Sequence, residues 1–168
     1  MVFAPDYHLL RRLGMSNITT NRLTITGPKK DLDLFAATMQ RPGFDEDRKP
    51  GEFCFHQTVP MPATVFRGTL GKEESEKYPN ELNWLGWSIA NWGTKWPNYH
   101  TDPAVICNES IFIKFDTANS PPDIWMCTAS IQFPTLRFKN IWEIECVGSG
   151  YSVFRNGNRV RNIAFSVK

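Results

Sequence analysis

Four of the six tryptophans fall within fourteen consecutive residues, Asn83-Trp84-Leu85-Gly86-Trp87-Ser88-Ile89-Ala90-Asn91-Trp92-Gly93-Thr94-Lys95-Trp96. On a helix turning about 100° per residue, Leu82, Leu85, Ile89 and Trp92 share one stripe, while Trp84, Trp87 and Asn91 share roughly the opposite one. A helix that is apolar on two sides needs two partners. The aliphatic stripe suits a core. The aromatic stripe has two readings: a long loop covers it, because tryptophan is above all a packing residue, or it is an open recognition surface, because tryptophan beside Asn and Lys is typical of binding sites. Gly93 stands where a helix ends in a left-handed residue, and Lys95 just beyond complements the negative end of the dipole.

A chain of 168 residues with 41% hydrophobic and 13% aromatic content can bury one full core. The net charge of +2 argues by itself for neither a nucleic-acid partner nor an acidic DNA mimic. Cys54, Cys107, Cys127 and Cys146 are far apart in a chain that shows no secretory leader, so reduced thiols and a cytoplasmic setting are expected. No apolar run approaches the roughly 18 residues of a membrane helix. A membrane partner is therefore not expected, and a homo-oligomer is compatible with the sequence.

The order of elements follows from periodicity. Residues 1–14 read as an appendage, and residues 15–168 as a single domain with a proline-rich insert at about 41–79. Leu23 and Ile25 alternate with Arg22, Thr24 and Thr26, which predicts a strand ended by Gly27-Pro28. Leu32, Phe35, Ala36 and Met39 then recur at helical spacing. Within the insert, residues 52–56 read as a short strand. Val59-Pro60-Met61-Pro62 reads as an extended piece fit to lie across the aromatic helix.

Beyond the tryptophan helix, Ala104-Val105-Ile106-Cys107 and Ser110 to Thr117 read as two strands about a turn at Asn108-Glu109. Ser120 is placed as the N-cap of a third helix with Pro121 as its first residue, and its stripe of Ile124, Cys127, Thr128 and Ile131 is expected in the core. Arg137 to Cys146 alternates as a strand. Asn156-Gly157-Asn158 then joins two final strands in a hairpin. Together these predict an α+β fold: a ferredoxin-like (split βαβ) antiparallel sheet with helices on one face, the proline-rich insert, and a C-terminal hairpin extension.

Four pieces of the chain resemble a known family. They are Met15-Ser16-Asn17 with Asn21 to Pro28, then Val59-Pro60-Met61-Pro62, then Trp87 to Trp96, and Phe115-Asp116-Thr117-Ala118-Asn119-Ser120-Pro121-Pro122. In these the sequence is similar to the YubB-type ferredoxin-like proteins of bacteriophages and plasmids, most of them without assigned function. The family usually carries Trp-Cys near Ile18-Thr19 and Trp at the position of Asn119, so two aromatic positions differ here. The resemblance implies a ferredoxin-like fold, a mobile-element setting and Met15 as an ancestral start. It supplies no catalytic residues.

Little in the sequence names a chemistry. Gly68-Thr69-Leu70-Gly71-Lys72-Glu73 lacks the glycine spacing and the Ser or Thr of a phosphate loop and reads as a solvated turn. His8, His56 and His100 are scattered, with Cys54 and His56 the one close Cys/His pair, so neither a metal nor another cofactor is expected. Asp116, near Asn119 and Lys95, is a polar constellation with two readings, a charge pair at the strand exit or a grip on a ligand's polar group. An enzyme built on Asp116, Lys95 and His100 is the least supported function. Arg155, Arg159 and Arg161 cluster in the terminal hairpin, where alternation puts Arg159 and Arg161 on one face, either as an edge charge or against phosphates.

The reading that follows is a non-enzymatic accessory protein of a phage or plasmid. It engages a host or defence-system protein through Trp84, Trp87, Asn91, Trp92, Thr94, Lys95, Trp96, Asp116 and Asn119. A module that binds nucleic acid or nucleotide through the sheet and Arg155, Arg159 and Arg161 is the alternative.

Overall fold

The computed structural model describes residues 16–43 and 51–166. The appendage of residues 1–14 and the charged run Asp45-Glu46-Asp47-Arg48-Lys49 lie outside the described residues. Among the described residues, six strands and four α-helices form a mixed α+β fold. They follow in the order β1 (Ile18–Thr26), α1 (Lys29–Thr38), α2 (Lys72–Lys77), α3 (Trp84–Trp92), β2 (Val105–Ile106), β3 (Ser110–Ala118), α4 (Asp123–Gln132), β4 (Arg137–Ile144), β5 (Gly148–Arg155) and β6 (Asn158–Ser166). The strands make one sheet, ordered β2-β3-β1-β4-β5-β6, and every neighbouring pair is antiparallel.

Alternation decides which side of the sheet is dry. On β1 the residues Thr19, Asn21, Leu23 and Ile25 are buried, and on β3 Ile111, Ile113, Phe115 and Thr117 are buried. Their cross-strand partners on β4, Phe138 and Asn140, are buried as well. Phe35 of α1 and Trp125 of α4 both pack on the Phe138 ring, at 5.8 and 6.3 Å between centroids. These two helices therefore lie on the same face, and each buried Leu, Ile or Phe between them contributes roughly 1.5 to 3 kcal/mol.

Two local expectations are corrected. Residues 52–56 form no strand: Phe55–Gln57 is a 3-10 turn whose neighbouring backbone is satisfied by side chains. Gln57 accepts from the Cys54 N–H at 2.9 Å, and Asn98 accepts from the Phe55 N–H at 3.0 Å. Once side chains take these donors, no ladder is needed. Ser120 is no N-cap either. The helix begins at Asp123 after Pro122, and the Ser120 hydroxyl donates instead to the Gly93 carbonyl at 2.7 Å. The insert also contains α2, directly after the solvated turn at Gly68–Gly71. In the terminal hairpin, Asn156 and Gly157 both take positive φ (48° and 73°), as a two-residue turn of mirror-image type requires.

A buried hydrogen-bond chain ties the sheet to the helix layer. The Asn140 amide donates to Asn21 Oδ1, the Asn21 amide to Thr117 Oγ1, and the Thr117 hydroxyl to the Ser120 carbonyl, at 2.8, 2.9 and 2.8 Å. Ser120 continues it to Gly93. Polar groups in a dry layer cost little only when paired in this way.

Candidate binding surface

The helix α3 is held at both ends. Asn83 caps it, its side chain accepting from the Gly86 N–H at 2.9 Å. Gly93 closes it in the left-handed conformation, φ 79°, its N–H bonding back to Ser88 and Ile89. A Cβ on Gly86 would lie 2.0 Å from the Asn80 carbonyl oxygen, so only glycine lets the 3-10 turn Asn80–Leu82 fold back on the helix.

Of the two readings of the aromatic stripe of α3, the covered one holds, and of the stripe expected in the core Trp92 is buried but Leu82 and Ile89 are not. Trp84, Trp87, Trp92 and Trp96 are buried, whereas Leu82 and Ile89 are 58% and 52% exposed. The insert supplies the cover: Val59, Met61 and Val65 are buried in the same cluster, and Phe66 forms a parallel bridge to Asn83. Each indole that the insert reaches is also matched in polarity. Trp92 Nε1 donates to the Val59 carbonyl at 2.9 Å and Trp84 Nε1 to the Gly68 carbonyl at 3.1 Å. A tryptophan buries more apolar area than a leucine, so once a segment can accept its N–H the aromatic face is the better one to bury. The tryptophans are therefore core, and no open aromatic surface exists on α3.

Helix α4 likewise differs from expectation. Trp125, Met126, Ala129 and Ser130 face the core, while Ile124 and Ile131 are 42% and 58% exposed, and Cys127 donates its S–H to the Gly157 carbonyl. The exposed aliphatic side chains belong to two helices that neighbour each other. Ile89 lies one turn before Gly93, where an added Cβ would stand 3.3 Å from Ile124, and Ile131 follows Ile124 by two turns. Leu82, Ile89, Ile124 and Ile131 are thus exposed on the outer side of these two elements, while Leu85 is partly buried against the core.

The remaining anticipated site residues are dispersed. Asn91 donates to Glu81 Oε2 at 3.1 Å and to the Trp87 carbonyl at 3.0 Å. Thr94 is buried, its hydroxyl donating to the Trp96 carbonyl at 2.7 Å. Lys95 Nζ stands 4.9 Å over the Trp96 ring. Asp116 accepts from the Thr20 hydroxyl at 3.1 Å and faces His100 Nδ1 at 3.2 Å. Asn119, at φ 69°, accepts from the Asn17 N–H at 2.9 Å. Of the suspected constellation, only Asp116 and His100 come together, with Thr20 as a partner that strand pairing alone reveals.

The three hairpin arginines do not form a row. The register passes from Val153 opposite Arg161 to Phe154 opposite Arg159, so one residue, Val160, is bulged out. Neighbours on β5 point to opposite faces, and their partners do so too. Arg159 lies on the helix side, over the Phe154 ring and in an ion pair with Asp123 at the start of α4. Arg161 lies on the other side, 5.8 Å from the Tyr151 centroid. Arg155 is exposed at the end of β5. Burial raises the Asp123 carboxyl above its ordinary range, and Arg159 and Ser152 pull it back.

Among the described residues, no three His, Cys, Asp or Glu side chains are grouped to hold a metal ion. His56 Nδ1 is occupied by the Met61 N–H at 3.1 Å, and burial, then Arg67, lowers its pKa. Among the described residues no helix is long and apolar enough to cross a membrane.

Comparison with solved structures finds a fold likeness to the protein api92 of Yersinia pseudotuberculosis, described with the family name DUF1281. The TM-score is 0.57 at 11% identity, over 91% of this chain and 99% of that one. At that identity the likeness speaks for the fold alone, and nothing in it points to catalysis. No family model and no curated protein matches the chain.

Proposed function

We propose that the chain is a non-catalytic accessory binding protein of a phage or plasmid that engages a host or defence-system protein through the outer face of α3 and α4. The observation that carries this reading is the exposure of Leu82, just before α3, and of Ile89, Ile124 and Ile131, on two helices whose opposite faces are anchored by buried tryptophans. Exposed apolar side chains on a rigid support are the ordinary makings of a protein interface. The anticipated residues Asn91 and Lys95 flank this helix end; Trp84, Trp87, Trp92 and Thr94 serve by holding it in place. The strand order β2-β3-β1-β4, with crossovers through α1 and α4, supports a ferredoxin-like sandwich extended by the hairpin β5-β6. The mobile-element setting and the cytoplasmic location rest on the sequence resemblance and the spread of the cysteines.

Affinity capture from host cells with the wild-type chain and with Leu82→Arg and Ile89→Arg tests this. The expected result is a protein partner retained by the wild type and lost with both variants, at unchanged urea midpoints. A partner retained equally by both variants overturns the reading.

A further inference from the structure

The sheet face turned away from the helices takes no part in the reading above, and register fixes its chemistry. One row of side chains crosses five strands as Lys114, Arg22, Ile141, Tyr151 and Ile163. The next runs Phe112, Thr24, Lys139, Val153 and Arg161. Arg137 on β4 and Arg155 on β5 each follow by two residues on the same face. The carboxylates Asp116 and Glu143 stand together in the row on the other side, Asp116, Thr20, Glu143, Ser149 and Phe165. Asp102, from the segment before β2, approaches Lys114 at 3.5 Å, with both side chains more than half exposed. Arg22, Lys114, Arg137, Lys139, Arg155 and Arg161 therefore form a cationic field across the sheet, with acids only at its borders.

The same face displays rings. Phe112 and Phe165 are 44% and 63% exposed, far more than water-facing strands need. Tyr151 lies between two cations, with Lys139 Nζ 5.6 Å and the Arg161 guanidinium 5.8 Å from its centroid. Flat rings interleaved with cations match a partner that offers aromatic faces and phosphates at once. A duplex hides its base faces, and a sheet this broad enters neither groove, so an unpaired strand is the form that fits.

We propose that this face binds single-stranded nucleic acid, with phosphates along Arg22, Lys114, Lys139 and Arg161 and bases stacked on Phe112, Tyr151 and Phe165. Neutralising four phosphates on a single strand gives a log–log salt slope of roughly −3, at about 0.7 per contact. Removing one stacked ring weakens binding by about tenfold.

Fluorescence anisotropy of the full chain with labelled oligo(dT), oligo(rA) and a blunt duplex of about 15 nucleotides is the test. The expected result is binding to the single strands, weakening steeply as salt rises from about 50 to about 200 mM. Phe112→Ala should weaken it about tenfold and Arg22→Gln should flatten the salt slope, while Leu34→Gln, exposed on α1 at the helix side, leaves it unchanged. Circular dichroism verifies folding, and Lys139→Gln serves if Arg22→Gln does not fold. Failure to bind single strands at low salt overturns the proposal, as it would if the face instead receives an acidic protein. Binding that favours the duplex or ignores Phe112→Ala overturns it too, leaving bare charge attraction.

Discussion

The Ser120 hydroxyl donates to the carbonyl of Gly93 across 2.7 Å, joining the end of one helix to the approach of the next. Gly93 is held at φ 79° with Ile124 packed against it. Gly93→Ala combines a left-handed alanine with a contact at 3.3 Å and should cost about 1 to 2 kcal/mol. Ser120→Ala should cost about 1 kcal/mol through the lost hydrogen bond. Urea unfolding midpoints check both values.

Because the tryptophans are core, substitution there reports on folding. Trp92→Ala removes a fully buried ring and its bond to Val59, and should cost about 3 to 5 kcal/mol. Ile89→Ala, on the exposed side of α3, should change stability by less than about 0.5 kcal/mol. Chemical denaturation of the two variants side by side makes the contrast, and near-equal losses would contradict the inward orientation of the aromatic stripe.

The insert carries a pH response in His56. Its imidazole is held below its ordinary 6.5, chiefly by burial and then by Arg67. The unfolded chain therefore takes up the proton first on acidification. The contribution to stability is complete above 6.5 and is lost as pH falls below that value through the lowered folded one. Protonation also removes the lone pair that receives the Met61 N–H. Unfolding midpoints between about pH 8 and about pH 5 should fall for the wild type and flatten for His56→Asn, which keeps an acceptor without the titration.

Asp123 and Arg159 give a second electrostatic test. Burial raises the carboxyl and Arg159 lowers it, so Arg159→Ala should move the Asp123 titration further up. Carbon-13 NMR of the carboxyl reads this directly. A raised carboxyl takes its proton in the folded state first, so the variant should gain relative stability on acidification below the raised value.

Much of the topology was legible because antiparallel strands with one dry face must alternate. Leu23 and Ile25, the run Ile111, Ile113 and Phe115, and the Asn156-Gly157 turn all stand where periodicity puts them. Helix orientation was not legible. Both α3 and α4 are apolar around most of their circumference, and a helical wheel identifies stripes without saying which one points inward. That choice was made by volume and by a distant segment: Val59, in the proline-rich piece read as a cover for this helix, and Gly68 accept the indole N–H groups, and the helix's own pattern does not say which stripe they reach. The hairpin arginines failed for a different reason. Strict alternation puts Arg159 and Arg161 together, but the bulge at Val160 separates them, and a single extra residue leaves no compositional trace. Thr20 escaped notice because only strand pairing brings it to Asp116.

The rings of Trp87 and Trp92 stand edge to face, 5.0 Å apart at 87°. Two indoles at that separation couple their electronic transitions, so the pair forms a chiral chromophore whose near-ultraviolet signal depends on its geometry. The chain thus contains its own optical gauge for the seating of the insert on α3, and displacement of Val59 from Trp92 becomes visible without any label.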